Sequence, residues 1–171
     1  MTQILALNGS LRRNSANHLV LKHLQTTATP PTHIVFAPAL DTLPHFNPDL
    51  DIEPAPPAVQ ALRAQIAGAD ALLICTPEYT FSIPGSLKNA LDWLVSSGSL
   101  YRKKTAIVAT STSKGGHVLA ALSAVLLAHQ AILIAQSALH PAEARADLTG
   151  DAATHSGTGQ ALADVLAALG A

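Results

Sequence analysis

Short apolar runs alternate with stretches at helical spacing along most of the chain. Gln3 to Leu7 is apolar and bounded by Asn8-Gly9, the pattern of a first strand in a buried parallel sheet. His33 to Phe36, Ala71 to Cys75, Thr105 to Ala109 and Ala131 to Ile134 repeat that pattern. Between them lie amphipathic segments. Leu19, Leu21 and Leu24 share one helix face, with Ser15 or Asn14 as N-cap. Val59, Leu62, Ile66 and Ala67 give a second helix, closed by Gly68. Ser86 to Ser96, Val118 to His129 and Gln160 to Leu169 give three more. Ala37 to Pro57 reads as an irregular surface loop, and Ser137 to Gly159 as a less regular stretch. Five strands alternating with five helices predict an open parallel sheet covered on both faces.

Right-handed crossovers restrict such a sheet to a few strand orders. Its ligands sit outside the carboxyl ends of the strands, at the switch point. Three polar loops, after the first, third and fourth strands, fall at that edge. The chain of 171 residues suits one domain, 1–171, with a sizeable core.

Composition changes the picture by exclusion. Charged residues are 12% of the chain and the formal net charge is −1, with no basic block suited to nucleic acid or an anionic membrane. Arg102-Lys103-Lys104 is short and reads as a solvated strand entry. No uncharged apolar run reaches the roughly 18 residues of a membrane span. Met1 to Leu7 lacks a basic n-region, which argues against a signal peptide. The single cysteine, Cys75, forbids an internal disulfide and is compatible with a reducing compartment. Lying within an apolar run, it reads as a small core residue rather than a nucleophile. The eight histidines are scattered, and His18 and His23 are five apart, so no helical metal pair is expected.

The loop after the first strand carries Gly9-Ser10-Leu11-Arg12, then Ser15 and Asn17. Neither G-x-G-x-x-G nor G-K-[ST] can be drawn through it. Free N–H groups at a helix N-terminus, with nearby hydroxyls and an arginine, suit a single phosphate monoester. Ser15 and Asn17 read equally well as simple helix caps. The loop after the third strand holds Pro77, Glu78, Tyr79, Thr80 and Phe81, then Pro84-Gly85. Its backbone can meet a heterocycle edge, with Tyr79 or Phe81 as an apolar surface. The alternative makes the two aromatics core anchors. Trp93 reads as a helix residue facing the sheet, and Asn89 and Asp92 as residues fixing the loop or a subunit contact. Ser111, Ser113, Gly115 and Gly116 in the third loop allow close approach to a ring or form an ordinary turn.

Gly-Ser-Leu-Arg-x-x-Ser-x-Asn (9–17) and Pro-Glu-Tyr-x-x-Ser-x-Pro-Gly-x-Leu-Lys-Asn-Ala-x-Asp-Trp (77–93) resemble the NADPH-dependent FMN reductase family, which includes quinone, chromate and azo-dye reductases. The resemblance runs from the first strand to the fourth helix. It implies a flavodoxin-like doubly wound five-stranded parallel sheet of order 2-1-3-4-5. It implies that Ser10, Arg12, Ser15 and Asn17 bind the FMN phosphate. Pro77, Glu78 and Tyr79 would line the isoalloxazine, with Thr80 beside them, and Ser111 and Gly115 would approach the ring. The family commonly has Asn where this chain has Thr80, so one side-chain contact is expected to be missing. Pro141 to Gly159 matches no family pattern.

By the same resemblance the chain is an enzyme. NADPH or NADH is the reductant, and a quinone-like, flavin, azo or metal-oxyanion small molecule is the electron acceptor. The flavin carries the chemistry, no side chain acts as catalytic acid and no metal is required. A homodimer or homotetramer in the cytoplasm is expected. A flavodoxin-type electron carrier and a non-enzymatic FMN-binding module are the rival readings. The net charge of −1 counts against the carrier, since such carriers are typically strongly acidic.

Overall fold

The computed structural model describes residues 1–150 and 157–170. Five parallel strands form one sheet: β1 (Thr2–Asn8), β2 (Thr32–Phe36), β3 (Ala71–Pro77), β4 (Lys104–Thr110) and β5 (Ile132–Leu139). Their order is β2-β1-β3-β4-β5, as the resemblance implies. The helices are α1 (Ala16–Thr27), α2 (Pro57–Gly68), α3 (Gly85–Asp92), α4 (Gly116–Ala128), α5 (Pro141–Thr149) and α6 (Thr158–Gly170).

Alternation along the strands sorts the core into two layers. Ile4, Ala6, Leu73, Cys75 and Val108 face α1, α5 and α6, where Val20, Leu21, Leu24, Leu162 and Val165 meet them. Leu5, Leu7, Leu72, Ile74 and Ile107 point the other way, onto Leu62 and Ile66 of α2, Leu87 and Leu91 of α3, and Leu122 and Leu126 of α4. All seven residues of β3 are buried, as the central position between β1 and β4 requires. Each such leucine or isoleucine contributes about 1.5–3 kcal/mol of burial. Cys75 is one of these core residues, as expected.

Four expectations are corrected. β5 continues to Leu139, and Pro141–Thr149 is helical rather than irregular. The reason lies in residues that favour a helix start and stop. Pro141 has its φ fixed at the first turn, Glu143 faces the N-terminal dipole, and Gly150 closes the helix at φ 80°. Of the rest of that stretch, 151–156 lies outside the described residues, and Thr158 and Gly159 already belong to α6. Helix α3 ends at Asp92, four residues early, because Trp93 turns away from the sheet. Its indole packs with Phe46, Ala55 and Val59 under the 37–57 loop, in a small separate core. Trp93 Nε1 and Asn89 Nδ2 both donate to Pro44 O, and Phe46 N donates to Asn89 Oδ1 at 2.7 Å. Asn89 therefore fixes the loop, one of its two expected roles. Asp92 instead pairs with Lys88 at 2.6 Å on the surface. The 37–57 loop is also less irregular than expected, with 3₁₀ turns at Leu40–Thr42 and Pro48–Leu50. Finally, Lys103 is not simply solvated. Its Nζ donates to Ala69 O just beyond α2, and burial holds its pKa below the ordinary value. No helix among the described residues is long and apolar enough to cross a membrane.

Candidate functional site

The carboxyl ends of β1, β3 and β4 converge on a cleft of about 190 Å³. Ser10, Arg12, Ser15, Asn17, Pro77, Glu78, Tyr79 and Ser111 all line it. Eight of the ten residues singled out from the sequence thus meet in one place, brought there by three loops far apart in the chain. Thr80 and Gly115 do not line it. A larger cavity of about 570 Å³ lies at the opposite end of the sheet, between Pro30, Pro31, Thr32 and α6. It lacks the convergence of strand-end loops, so the smaller cleft is the candidate site.

The first loop is built around Gly9. A Cβ there would stand 2.7 Å from Thr76 Oγ1, so only glycine lets β1 leave the sheet beside β3. Asn8 Oδ1 accepts from Ser10 N at 3.0 Å, and Ser10 Oγ accepts from Arg12 N at 3.3 Å. Ser15 is the N-cap of α1, its Oγ accepting from His18 N at 3.1 Å. Ser15 therefore caps the helix, one of its two expected roles, and also lines the cleft. The amides of Ala16 and Asn17, ahead of the capped one, have no carbonyl partner within the helix. Asn17 is not a cap. It is 2% exposed and is held from both neighbouring strands, its Oδ1 accepting from Cys75 Sγ at 3.2 Å and Thr110 Oγ1 at 3.1 Å. Ser10, Ser15 and Ser111 are buried polar residues; the hydroxyl protons of Ser10 and Ser15 are available to a ligand in this cleft, while that of Ser111 goes to Glu78. Arg12 forms no ion pair among the described residues. A neighbouring cavity of about 420 Å³ shares Ser10 and Arg12 and adds Arg13.

The third-strand loop has a different construction. Tyr79 N donates to Ser82 O at 3.0 Å, and Ser82 N to Tyr79 O at 2.9 Å. The two residues between, Thr80 and Phe81, take φ of 51° and 57°. Two consecutive left-handed residues inside a closed pair define a type I′ turn, which favours Asn-Gly at those positions. A β-branched Thr is an outlier there. The missing amide at position 80 therefore matters for the backbone of the turn, since the side chain lies outside the cleft. Tyr79 and Phe81 are not core anchors, being 50% and 65% exposed. Phe81 packs at a tilt against His117 at the start of α4, with ring centroids 4.8 Å apart and 59° between the planes.

Glu78 joins this loop to the next. Its carboxylate accepts from Ser111 Oγ at 3.1 Å, from Ser113 Oγ and from Val118 N at 3.1 Å. Glu78 N donates to Thr110 O at 3.1 Å. The hydrogen bond from Ser113 does most to hold the carboxyl below the usual carboxylate range, helped by those from Val118 N and Ser111 and by His117 nearby. Gly115 serves the same turn. It is the N-cap of α4 at φ 71°, and a Cβ would meet Ala138 Cβ at 2.8 Å. Its need for glycine is thus internal to the fold. The cleft is completed by Ala16, Thr110, Thr112 and Pro141. The threonines lie within a hydroxyl-rich turn that the sequence marks without assigning them roles. Pro141 carries no signal, because its placement depends on the full length of β5.

With three loops of this kind around one cleft, comparison with known proteins becomes informative. Residues 2–144 match the model of the NADPH-dependent FMN reductase family. A quinone reductase of Escherichia coli K12 is 42% identical over 93 residues, 54% of this chain and 50% of that protein. An NADPH:quinone oxidoreductase of Arabidopsis thaliana is 36% identical over 121 residues, 68% of this chain and 61% of that one. The chain thus spans about half to three-fifths of the length of these curated relatives. Among solved structures, the flavoenzyme NAD(P)H:(acceptor) oxidoreductase FerB of Paracoccus denitrificans superposes with a TM-score of 0.77 at 29% identity, covering 99% of this chain and 95% of that one. An azoreductase of Bacillus anthracis shares the fold, with a TM-score of 0.67 at 17% identity over 98% of this chain and all of that one. On the family match across 2–144, the chain belongs to the NADPH-dependent FMN reductases.

Proposed function

We propose that the chain is an FMN-dependent oxidoreductase using NADPH or NADH, folded as one domain and acting on a small quinone-like, flavin, azo or metal-oxyanion acceptor. One observation carries the reading. The cleft gathers helix N-terminal amides, buried hydroxyls and Arg12 at one end, and an exposed aromatic loop at the other. Such a donor set fits a phosphate monoester, and the open aromatic side fits a flat ring. Ser10, Arg12, Ser15 and Asn17 would hold the phosphate. Pro77, Glu78 and Tyr79 would border the ring, and Ser111 would approach it from the β4 turn. The chemistry that bound FMN supplies is hydride acceptance from a nicotinamide and electron delivery to the acceptor. The chain's own part is to bind, orient and leave one face open. Glu78 holds the β3 and β4 loops together and, as a carboxylate accepting three hydrogen bonds, stays ionised at neutral pH.

The test is a visible spectrum of the purified protein with NADH and NADPH in turn. Flavin absorbance that bleaches with either nucleotide and returns on adding quinone supports the reading. Protein that binds no FMN on titration removes it. Flavin binding without nucleotide oxidation indicates the electron carrier or the binding module instead.

A homodimer is part of the proposal, in a cytoplasmic setting. Phe46, the aromatic side chain of the 37–57 region, packs edge-on against Trp93, so it does not supply the interface. Helix α4 does. It carries no charged residue from Gly116 to Ala128, and Leu127 on its outer face is 76% exposed. Arg102 N donates to Gln130 O, which brings the exposed Tyr101 beside the end of that helix. A charge-free, exposed face on a helix that buries only Val118, Leu122 and Leu126 suits a second copy. Sedimentation showing a monomer at micromolar concentration would count against it.

A further inference from the structure

Asn17 is the second residue of α1, and its carboxamide is gripped at one end only. Oδ1 accepts from Cys75 Sγ on β3 and from Thr110 Oγ1 at the end of β4. No protein acceptor among the described residues takes the Nδ2 protons, and Asn17 lines the cleft. A carboxamide has two ends of nearly equal shape and opposite hydrogen-bonding sense. Turned one way it presents donors to an anion; turned the other it presents a lone pair and repels it. We infer that Cys75 and Thr110 are positioning residues that lock Asn17 with Oδ1 on the strands and Nδ2 toward a phosphate monoester in the cleft.

The arrangement suits that task chemically. Two donors meet one oxygen; after a flip the Thr110 hydroxyl could turn and accept from Nδ2, but the thiol would be left with only its weak sulfur acceptor, so the observed sense is the better one. The thiol of Cys75 is fully buried, and burial pushes its pKa far above the ordinary range, so it stays protonated and donating at neutral pH. The cysteine is thus neither nucleophile nor mere filler. The two donors come from different strands, so the amide is referenced to the sheet as well as to its own helix. The inference rests on the FMN reading and adds to it how the phosphate end is recognised.

The test compares FMN with riboflavin, which lacks the phosphate, by quenching of flavin fluorescence. Free inorganic phosphate serves as a competitor, to separate binding of the phosphate group alone from binding of the whole cofactor. Wild-type protein is expected to prefer FMN strongly. Cys75→Ala combined with Thr110→Val should lower the FMN-to-riboflavin ratio about tenfold, with riboflavin affinity within about twofold of wild type. Cys75→Ser with Thr110→Ser, which keeps both donors, should restore the ratio. Asn17→Asp keeps the acceptor on the strands and puts an oxygen where Nδ2 stood, so it should cut FMN affinity at least about tenfold and spare riboflavin. An unchanged ratio in the double variant, or a parallel fall of both flavins, overturns the inference. Failure of the serine pair to restore the ratio does the same. If the alanine–valine variant does not fold, Asn17→Asp decides, and a wild-type ratio in that variant overturns the proposal. Wild-type protein that binds neither flavin removes the FMN reading and this inference together. Wild-type FMN binding with unchanged variants removes this inference alone.

Discussion

The loops after β1 and β3 border the same cleft and are made in opposite ways. The β1 loop turns its polar residues inward: Ser10, Ser15 and Asn17 are nearly inaccessible, each held by backbone or strand partners, while residues 11–14 between them are exposed. The β3 loop is exposed and strained, with two non-glycine residues in the left-handed region and two aromatics turned outward. On the proposed reading, the first would grip the cofactor's phosphate and the second would leave the ring's face open. The second is braced chiefly by Glu78, reaching across to the β4 turn, with Phe81 packed on His117 of α4.

This contrast can be broken from either side. The largest effect is expected at Gly9. Gly9→Val drives a side chain into Thr76, whose Oγ1 would stand 2.7 Å from the new Cβ. It should cost about 3 kcal/mol in urea unfolding and abolish FMN binding. Removing the brace comes next. Glu78→Ala leaves Ser111, Ser113 and Val118 N without their acceptor at a partly exposed site, for about 1–2 kcal/mol. Because the β1 loop is independent of it, the variant should keep its preference for FMN over riboflavin while both affinities fall.

The same brace gives a pH dependence of known sign. Glu78 in the folded protein titrates below its ordinary value of 4.5. Its stabilisation is therefore fully present above that value and is lost as pH falls through the lower, folded value. Thermal melts from pH 6 down to 3 should show a fall that Glu78→Gln flattens. A steep fall unchanged in the variant would assign the acid sensitivity elsewhere. The smallest effect is at the turn. Thr80→Asn relieves a β-branched residue at φ 51° and should raise stability by about 1 kcal/mol, with flavin affinity equal or tighter. A lower melting temperature would show that the turn is not limited by backbone strain.

Much of this architecture is legible in the chain itself. The strand pattern and the three polar loops follow from periodicity alone, because buried parallel strands read as apolar runs whatever packs on them. The motifs at 9–17 and 77–93 supply the strand order and the cofactor class. Side-chain direction is less accessible. Glu78 reads as a ring-lining residue in sequence, yet its carboxylate turns to Ser111 and Ser113, residues 33 and 35 positions away. Asn17 looks like a cap, and nothing local shows that its partners are Cys75 and Thr110. Trp93 has helical spacing that points to the sheet. The 37–57 loop offers Phe46 and Ala55 as a second place to bury it, and loops give no periodic warning of such pockets. Helix α5 escapes notice for the opposite reason. Its start and stop residues are local and readable, but its only fully buried residue is Ala144, so it lacks the apolar stripe by which helices are found.

The hydrogen bond from Thr110 to Asn17 spans 93 positions of chain. Strand β1 pairs with β3, and β3 with β4, before that contact can close. The end of the cleft around Asn17 is consequently complete only when all three strands are paired in the full sheet. Ligand held there acts on the native state alone, so occupancy translates directly into resistance to unfolding, growing with the logarithm of ligand concentration.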